Sequence, residues 1–75
     1  MSQSNRMSVA SALSSATRAL AGDSSAVLDA QLLLAHALGR TRSWLLAHAE
    51  AALDADVERA FAALVARRAA GEPLA

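Results

Sequence analysis

Apolar residues recur at helical spacing from about Ser8 to Ala21, where Val9, Ala10, Leu13, Ala16 and Leu20 are separated by Ser14, Ser15 and Arg18. The spacing predicts a first helix there. Gly22 supplies its stop, because glycine takes the left-handed backbone conformation cheaply. Asp23, Ser24 and Ser25 each offer an N-cap for the next helix. That second helix, about 26–38, is apolar nearly all round, the pattern of a central, buried element. At about 100° per residue, its polar exceptions Asp29 and His36, with Arg40 beyond, project within about 40° of one another as one narrow stripe. Gln31 lies nearly opposite, and Gly39 ends the helix as Gly22 ends the first.

Arg40-Thr41-Arg42 forms the next connection, and Ser43 is placed to cap a short third helix through Trp44, Leu45, Leu46, Ala47 and His48. Ala49 to Leu53 is weakly patterned. Asp54 is a good N-cap for a fourth helix, with Asp56 and Glu58 at its positive end. Val57, Phe61, Leu64 and Arg68 fall on one face of it, joined by Ala60 and Val65. Arg67 and Arg68 occupy the last turn, Gly71 follows as the stop, and Pro73 forbids continuation. Residues 1–6 are polar and aperiodic; with Met7 they read as a disordered N-terminus. The expected architecture is an all-α bundle of four to five helices around a buried central second helix. Short connections make neighbouring helices antiparallel.

Composition strengthens the helical reading. Of 75 residues, 21 are Ala and 12 are Leu, the strongest helix formers, whereas Val, Phe and Trp together number six and Ile and Tyr are absent. Seven arginines balance seven acids, and there is no lysine and no cysteine. Zero net charge argues against a polybasic arm and against general electrostatic capture of nucleic acid. Without cysteine there is no disulfide framework, thiolate zinc ligand or thiol nucleophile. No apolar run has the length of a membrane span, and no signal peptide is evident. A chain this short buries about 60% of its unfolded surface, so a partner domain would help its stability.

Candidate chemistry is sparse. His36 and His48 lie on different helices with no paired-histidine motif, so no metal site is expected. Serines and aspartates are numerous, but no strand–turn–helix context supports a nucleophile elbow, so no catalytic residue is expected. The three glycines each stand alone at a helix end and read as caps rather than as a phosphate loop, so no cofactor-binding residue is expected. The second and third helices outline a helix-turn-helix, yet the second of these is mainly Trp-Leu-Leu-Ala, a core-facing face, and DNA binding is not favoured. Arg40, Arg42, Arg67 and Arg68, with Trp44, are of the residue types enriched in protein interfaces. The four arginines are the candidate partner-binding residues; for Trp44 a core anchor is the plainer reading.

Three segments in register carry a resemblance. Leu28-Asp29-Ala30-Gln31-Leu32-Leu33-Leu34-Ala35-His36-Ala37-Leu38-Gly39-Arg40 is followed by Trp44-Leu45-Leu46-Ala47-His48, and then by Arg67-Arg68-Ala69-Ala70-Gly71-Glu72-Pro73-Leu74-Ala75. Over about residues 8–75 the chain resembles the N-terminal domain of the HemK/PrmC family, bacterial methyltransferases acting on the glutamine of release factors. Gln31 departs from the family's usual Glu, removing a charge there, and Ala49 replaces a Pro or small loop residue.

The resemblance implies a helical domain, residues 8–71, that docks the release factor and packs on a methyltransferase domain. Residues 72–75 would begin the linker to that domain. The family's catalytic domain binds S-adenosylmethionine, holds the target amide with an Asn-Pro-Pro-Tyr motif, and methylates the glutamine of a Gly-Gly-Gln loop. None of those motifs occurs in these 75 residues, so the domain is expected to be catalytically inert, in a cytoplasmic enzyme, with no nucleic-acid or membrane partner. A free-standing helical interaction adaptor is the alternative.

Overall fold

A computed structural model describes residues 7–21 and 24–71. Ser8 sits in an extended conformation (φ −87°, ψ 167°), and its hydroxyl accepts from the Ser11 N–H at 3.1 Å, so α1 runs Val9–Ala19. Val9, Ala12, Ala16 and Leu20 form its buried stripe. Ala10, placed on this face by the spacing, is exposed, and Leu13 is half-buried; Ala12 takes the inner position instead. The stripe is narrower than the sequence suggests because α1 packs chiefly on one neighbour. The expected stop at Gly22 and the cap candidate Asp23 lie outside the described residues.

The second helix, α2, runs Ala26–Leu38, the span its pattern predicts. Gly39 adopts φ 69°, and the chain closes as a Schellman motif: Gly39 N–H donates to the His36 carbonyl and Arg40 N–H to the Ala35 carbonyl. Small alanines stand among the buried residues of both α1 (Ala12, Ala16) and α2 (Ala26, Ala30), and these two helices share the most extensive contact in the domain. A short helix, α3 (Arg42–Ala47), and the longest, α4 (Ala55–Ala69), follow, giving four helices within the described residues. All three other helices pack on α2, which is therefore central. It is not buried all round, however. Val27, Leu28 and Leu32 are 58%, 41% and 41% exposed, because the neighbouring helices pack on the other side of α2 and leave this one uncovered.

Thr41, rather than Ser43, caps α3. The turn at Gly39 leaves Thr41 extended (φ −87°, ψ 164°), and its hydroxyl accepts from the Trp44 N–H at 3.0 Å. Ser43 is consequently inside the first turn, and His48 falls just beyond the last.

The weakly patterned stretch 49–53 is not a fifth helix; it lies beside the start of α1. Val9 N–H donates to the Ala51 carbonyl, Ala10 N–H to Ala49, and Leu53 N–H to Met7, at 2.8–2.9 Å, with an isolated antiparallel bridge between Ser8 and Ala52. These bonds satisfy two of the amides that a helix N-terminus otherwise leaves without a partner. Met7, assigned from sequence to the loose terminus, is held here, its own N–H donating to Glu58 Oε2 at 3.1 Å.

Asp54 occupies the N-cap position of α4 in an extended conformation, where the sequence places the cap, but its side chain makes no capping hydrogen bond to the first turn. Phe61 and Val65 face inward, Val57, Leu64 and Arg68 are half-buried, and Ala60 is exposed at the edge of that face. Gly71 takes φ 101° just past the helix; Pro73 and the expected linker 72–75 lie outside the described residues. Leu34, Leu45, Leu53 and Val9, from α2, α3, the 49–53 segment and α1, are the largest fully buried side chains, and Phe61 and Val65 of α4 join the same core.

Candidate interaction surface

Two charged side chains point toward the interior. Asp29 is the one charged residue that is buried among those described, 6% exposed, and it accepts from Arg68 on α4 at 3.1 Å. The Ser25 hydroxyl donates to the same carboxylate oxygen at 3.5 Å. A carboxylate withdrawn from water needs such partners, since an unpaired buried charge is strongly unfavourable. The pair ties the first turn of α2 to the last turn of α4. Its signal in the sequence is an acid inside an apolar helix together with an arginine on the apolar face of another. The pairing itself was not legible, because nothing local links positions 29 and 68.

The stripe of Asp29, His36 and Arg40 expected from helical geometry is not a unit. Asp29 turns to α4, His36 is exposed, and Arg40 lies past the Gly39 reversal, outside the helical register. Arg40 instead stacks its guanidinium over the Trp44 ring, 5.0 Å from the centroid. On the helix, Trp44 and His48 are one turn apart, and their rings stack at 4.2 Å and 13°. His48 Nδ1 lies 2.8 Å from the Trp44 carbonyl oxygen, to which it donates. The result is a ladder of guanidinium, indole and imidazole along α3. Trp44 is half-buried, so it serves both as a wall of the core and as a platform at the surface.

Arg42 reaches back along α2, its Nε donating to Gln31 Oε1 at 3.0 Å. Gln31 thus gives Arg42 a neutral partner. Neither Arg40 nor Arg42 meets a carboxylate among the described residues. Arg67 is exposed in the last turn of α4, beside Arg68. Arg68 pairs with Asp29 near the start of α2, Arg42 reaches back to Gln31 only two residues further on, and Arg40 stacks on Trp44 past the helix's far end.

Among the described residues, no group of three or more His, Cys, Asp or Glu is placed to hold a metal ion. No helix there is long and apolar enough to cross a membrane. The molecule is a small all-α domain whose distinctive chemistry is a buried ion pair and an arginine–aromatic corner flanking exposed leucines. Residues 11–75 match the family model described as the PrmC N-terminal domain, and the chain belongs to that family. It is 56% identical over 48 residues to a release factor glutamine methyltransferase of Burkholderia pseudomallei, covering 64% of this chain and 17% of that protein. A protein of the same name from Vibrio cholerae is 39% identical over 71 residues, covering 92% of this chain and 25% of that protein. The Bordetella pertussis counterpart is 50% identical over 48 residues, covering 64% of this chain and 18% of that protein. The chain thus spans a quarter or less of the length of these relatives. No solved structure matches it.

Proposed function

We propose that this chain is the substrate-docking domain of a longer, cytoplasmic, S-adenosylmethionine-dependent methyltransferase. The substrate in this reading is the glutamine side chain of the Gly-Gly-Gln motif in a peptide chain release factor. The observation that carries it is the family match across residues 11–75, together with relatives that are named for that activity and are several times longer. S-adenosylmethionine supplies the methyl group, and its binding belongs to the domain that follows. The helical domain contributes no reacting group; it holds a protein substrate near the catalytic centre. Docking of this kind turns an encounter between two proteins into a local event at an effective concentration that reaches the millimolar range for a short tether. Arg40, Arg42 and Arg67 suit that task, because exposed guanidinium groups offer directional donors to carboxylates on a partner.

The test is methyl transfer to purified release factor by the full-length protein and by versions altered in this domain. Charge reversal at Arg40, Arg42 and Arg67 is expected to raise KM for the release factor while leaving kcat in place, since uniform binding alone is lost. Arg68 is kept out of that variant because its reversal would break the pair with Asp29. An unchanged KM would overturn the docking role. Methyl transfer by the 75-residue chain alone would overturn the assignment of catalysis to the domain that follows.

A further inference from the structure

The candidate arginines are not equivalent. Arg68 is committed to Asp29, and Arg42 gives its Nε to Gln31 at 3.0 Å. Arg40 has an aromatic partner instead, its guanidinium carbon lying 5.0 Å from the centroid of the Trp44 ring. A guanidinium donates in its own plane, so contact with an aromatic face holds the group without using its N–H groups. Arg40 is exposed, and no carboxylate meets it among the described residues.

What lies beneath that guanidinium is fixed on several sides. The Arg40 N–H donates to the Ala35 carbonyl at 3.0 Å, which anchors its backbone at the end of α2. Trp44 packs against the core from α3, whose first turn Thr41 caps. His48 stacks on the same indole at 4.2 Å and 13°, and its Nδ1 donates to the Trp44 carbonyl oxygen at 2.8 Å. The indole is thus braced by the core and by His48, and it carries Arg40. Immobilising a rotamer-rich side chain is among the main costs of forming an interface. The stack removes part of that cost for Arg40 before any partner arrives, whereas a freely solvated arginine is ordered only on binding.

Resting on the docking reading above, we propose that the Arg40–Trp44–His48 corner seats a carboxylate of the partner protein. Arg40 is the binding residue, through its N–H fork, and Trp44 and His48 are positioning residues that hold it ready. A carboxylate is favoured over a nucleic-acid phosphate because the chain is neutral and has no lysine, so the long-range attraction that captures nucleic acid is missing.

The test is methyl transfer to release factor by the full-length protein, with KM and kcat read separately and the fold of each variant checked by circular dichroism. Arg40→Ala should raise KM about tenfold, the change that about 1.4 kcal/mol of binding makes, and leave kcat in place. Arg42→Ala should raise it less than about threefold, because Arg42 is not held on a ring. Arg40→Lys should recover little, since an ammonium has no planar fork. Trp44→Leu and His48→Ala should each raise KM about threefold, while Trp44→Phe, which keeps an aromatic face, stays near the parent. A positioning residue acts only through the group it positions, so Trp44→Leu should change KM no further in a chain that already carries Arg40→Ala. A merely destabilised fold would show its effect in both backgrounds.

Equal effects of Arg40→Ala and Arg42→Ala overturn the proposal, as does an undiminished effect of Trp44→Leu in the Arg40→Ala chain. A short polyglutamate peptide should compete with release factor for the parent protein and act less on Arg40→Ala. Stronger Arg40-dependent inhibition by a single-stranded RNA oligonucleotide of equal charge would refute the carboxylate and assign the corner to phosphate. If reversal of Arg40, Arg42 and Arg67 together raises KM and Arg40→Ala alone does not, the corner is refuted and docking stands. If the triple reversal leaves KM unchanged, docking itself fails, and the corner with it.

Discussion

Replacing Arg68 by Met removes the guanidinium and keeps an apolar stem of similar length, leaving the Asp29 carboxylate, with 9% of its side chain exposed, beside the Ser25 hydroxyl. Breaking a buried pair from one side costs about 3–5 kcal/mol, whereas an exposed pair is worth about 0–1. Arg68 is 24% exposed, so water reaches the site once the guanidinium is gone, and the expected loss falls between these limits, about 2–3 kcal/mol. A domain of this size has about 4–11 kcal/mol of total stability, so that loss is a large fraction of it. At about 4–8 °C per kcal/mol, Tm should fall by roughly 10–20 °C. Asp29→Leu should cost less, about 1 kcal/mol, because the arginine left behind turns to solvent. The double variant Asp29→Leu/Arg68→Met should return to within about 1 kcal/mol of the parent, since an apolar pair needs no desolvated charge. Denaturant unfolding followed by the fluorescence of Trp44, the single tryptophan, reads all four proteins. A loss below about 0.5 kcal/mol for Arg68→Met, the ordinary effect of a surface change, would refute the account, as would additive effects in the cycle.

Other outcomes follow from single contacts. Thr41→Ala should lower stability by about 1 kcal/mol through the lost cap of α3, while Ser43→Ala stays within about 0.5; equal effects would return the cap to Ser43. Leu34→Ala, at a fully buried site, should cost about 2–5 kcal/mol and Leu32→Ala, on the exposed side of α2, under about 1, both by chemical denaturation. Gly39→Ala meets no neighbouring atom within 4 Å but must hold φ 69°, so it should lose about 1 kcal/mol from backbone strain alone. Gly39→Asn should lose less, because asparagine tolerates that conformation, and thermal melts of the two variants compare them directly.

Much of the domain is written along the chain, because helix formation is local. The period of α2, its glycine stop and the acidic start of α4 each depend on residues within a turn or two, and all three were legible. The family resemblance was legible for the same reason, residing in short segments in fixed order. The four candidate arginines could be named but not arranged. Periodicity says which face is apolar; it does not say what, if anything, covers it.

Tertiary structure decided the rest. It joined Asp29 to Arg68 across 39 positions, which only the packing of α4 on α2 brings together. It drew 49–53 alongside the start of α1 through backbone groups, which every residue carries and no side-chain pattern announces. It moved the α3 cap to Thr41, because the Gly39 reversal set which residue was extended. It also left one side of an almost wholly apolar helix open. The sequence by itself determined that α2 must seek burial; the side on which its three neighbours pack decided which leucines remain outside.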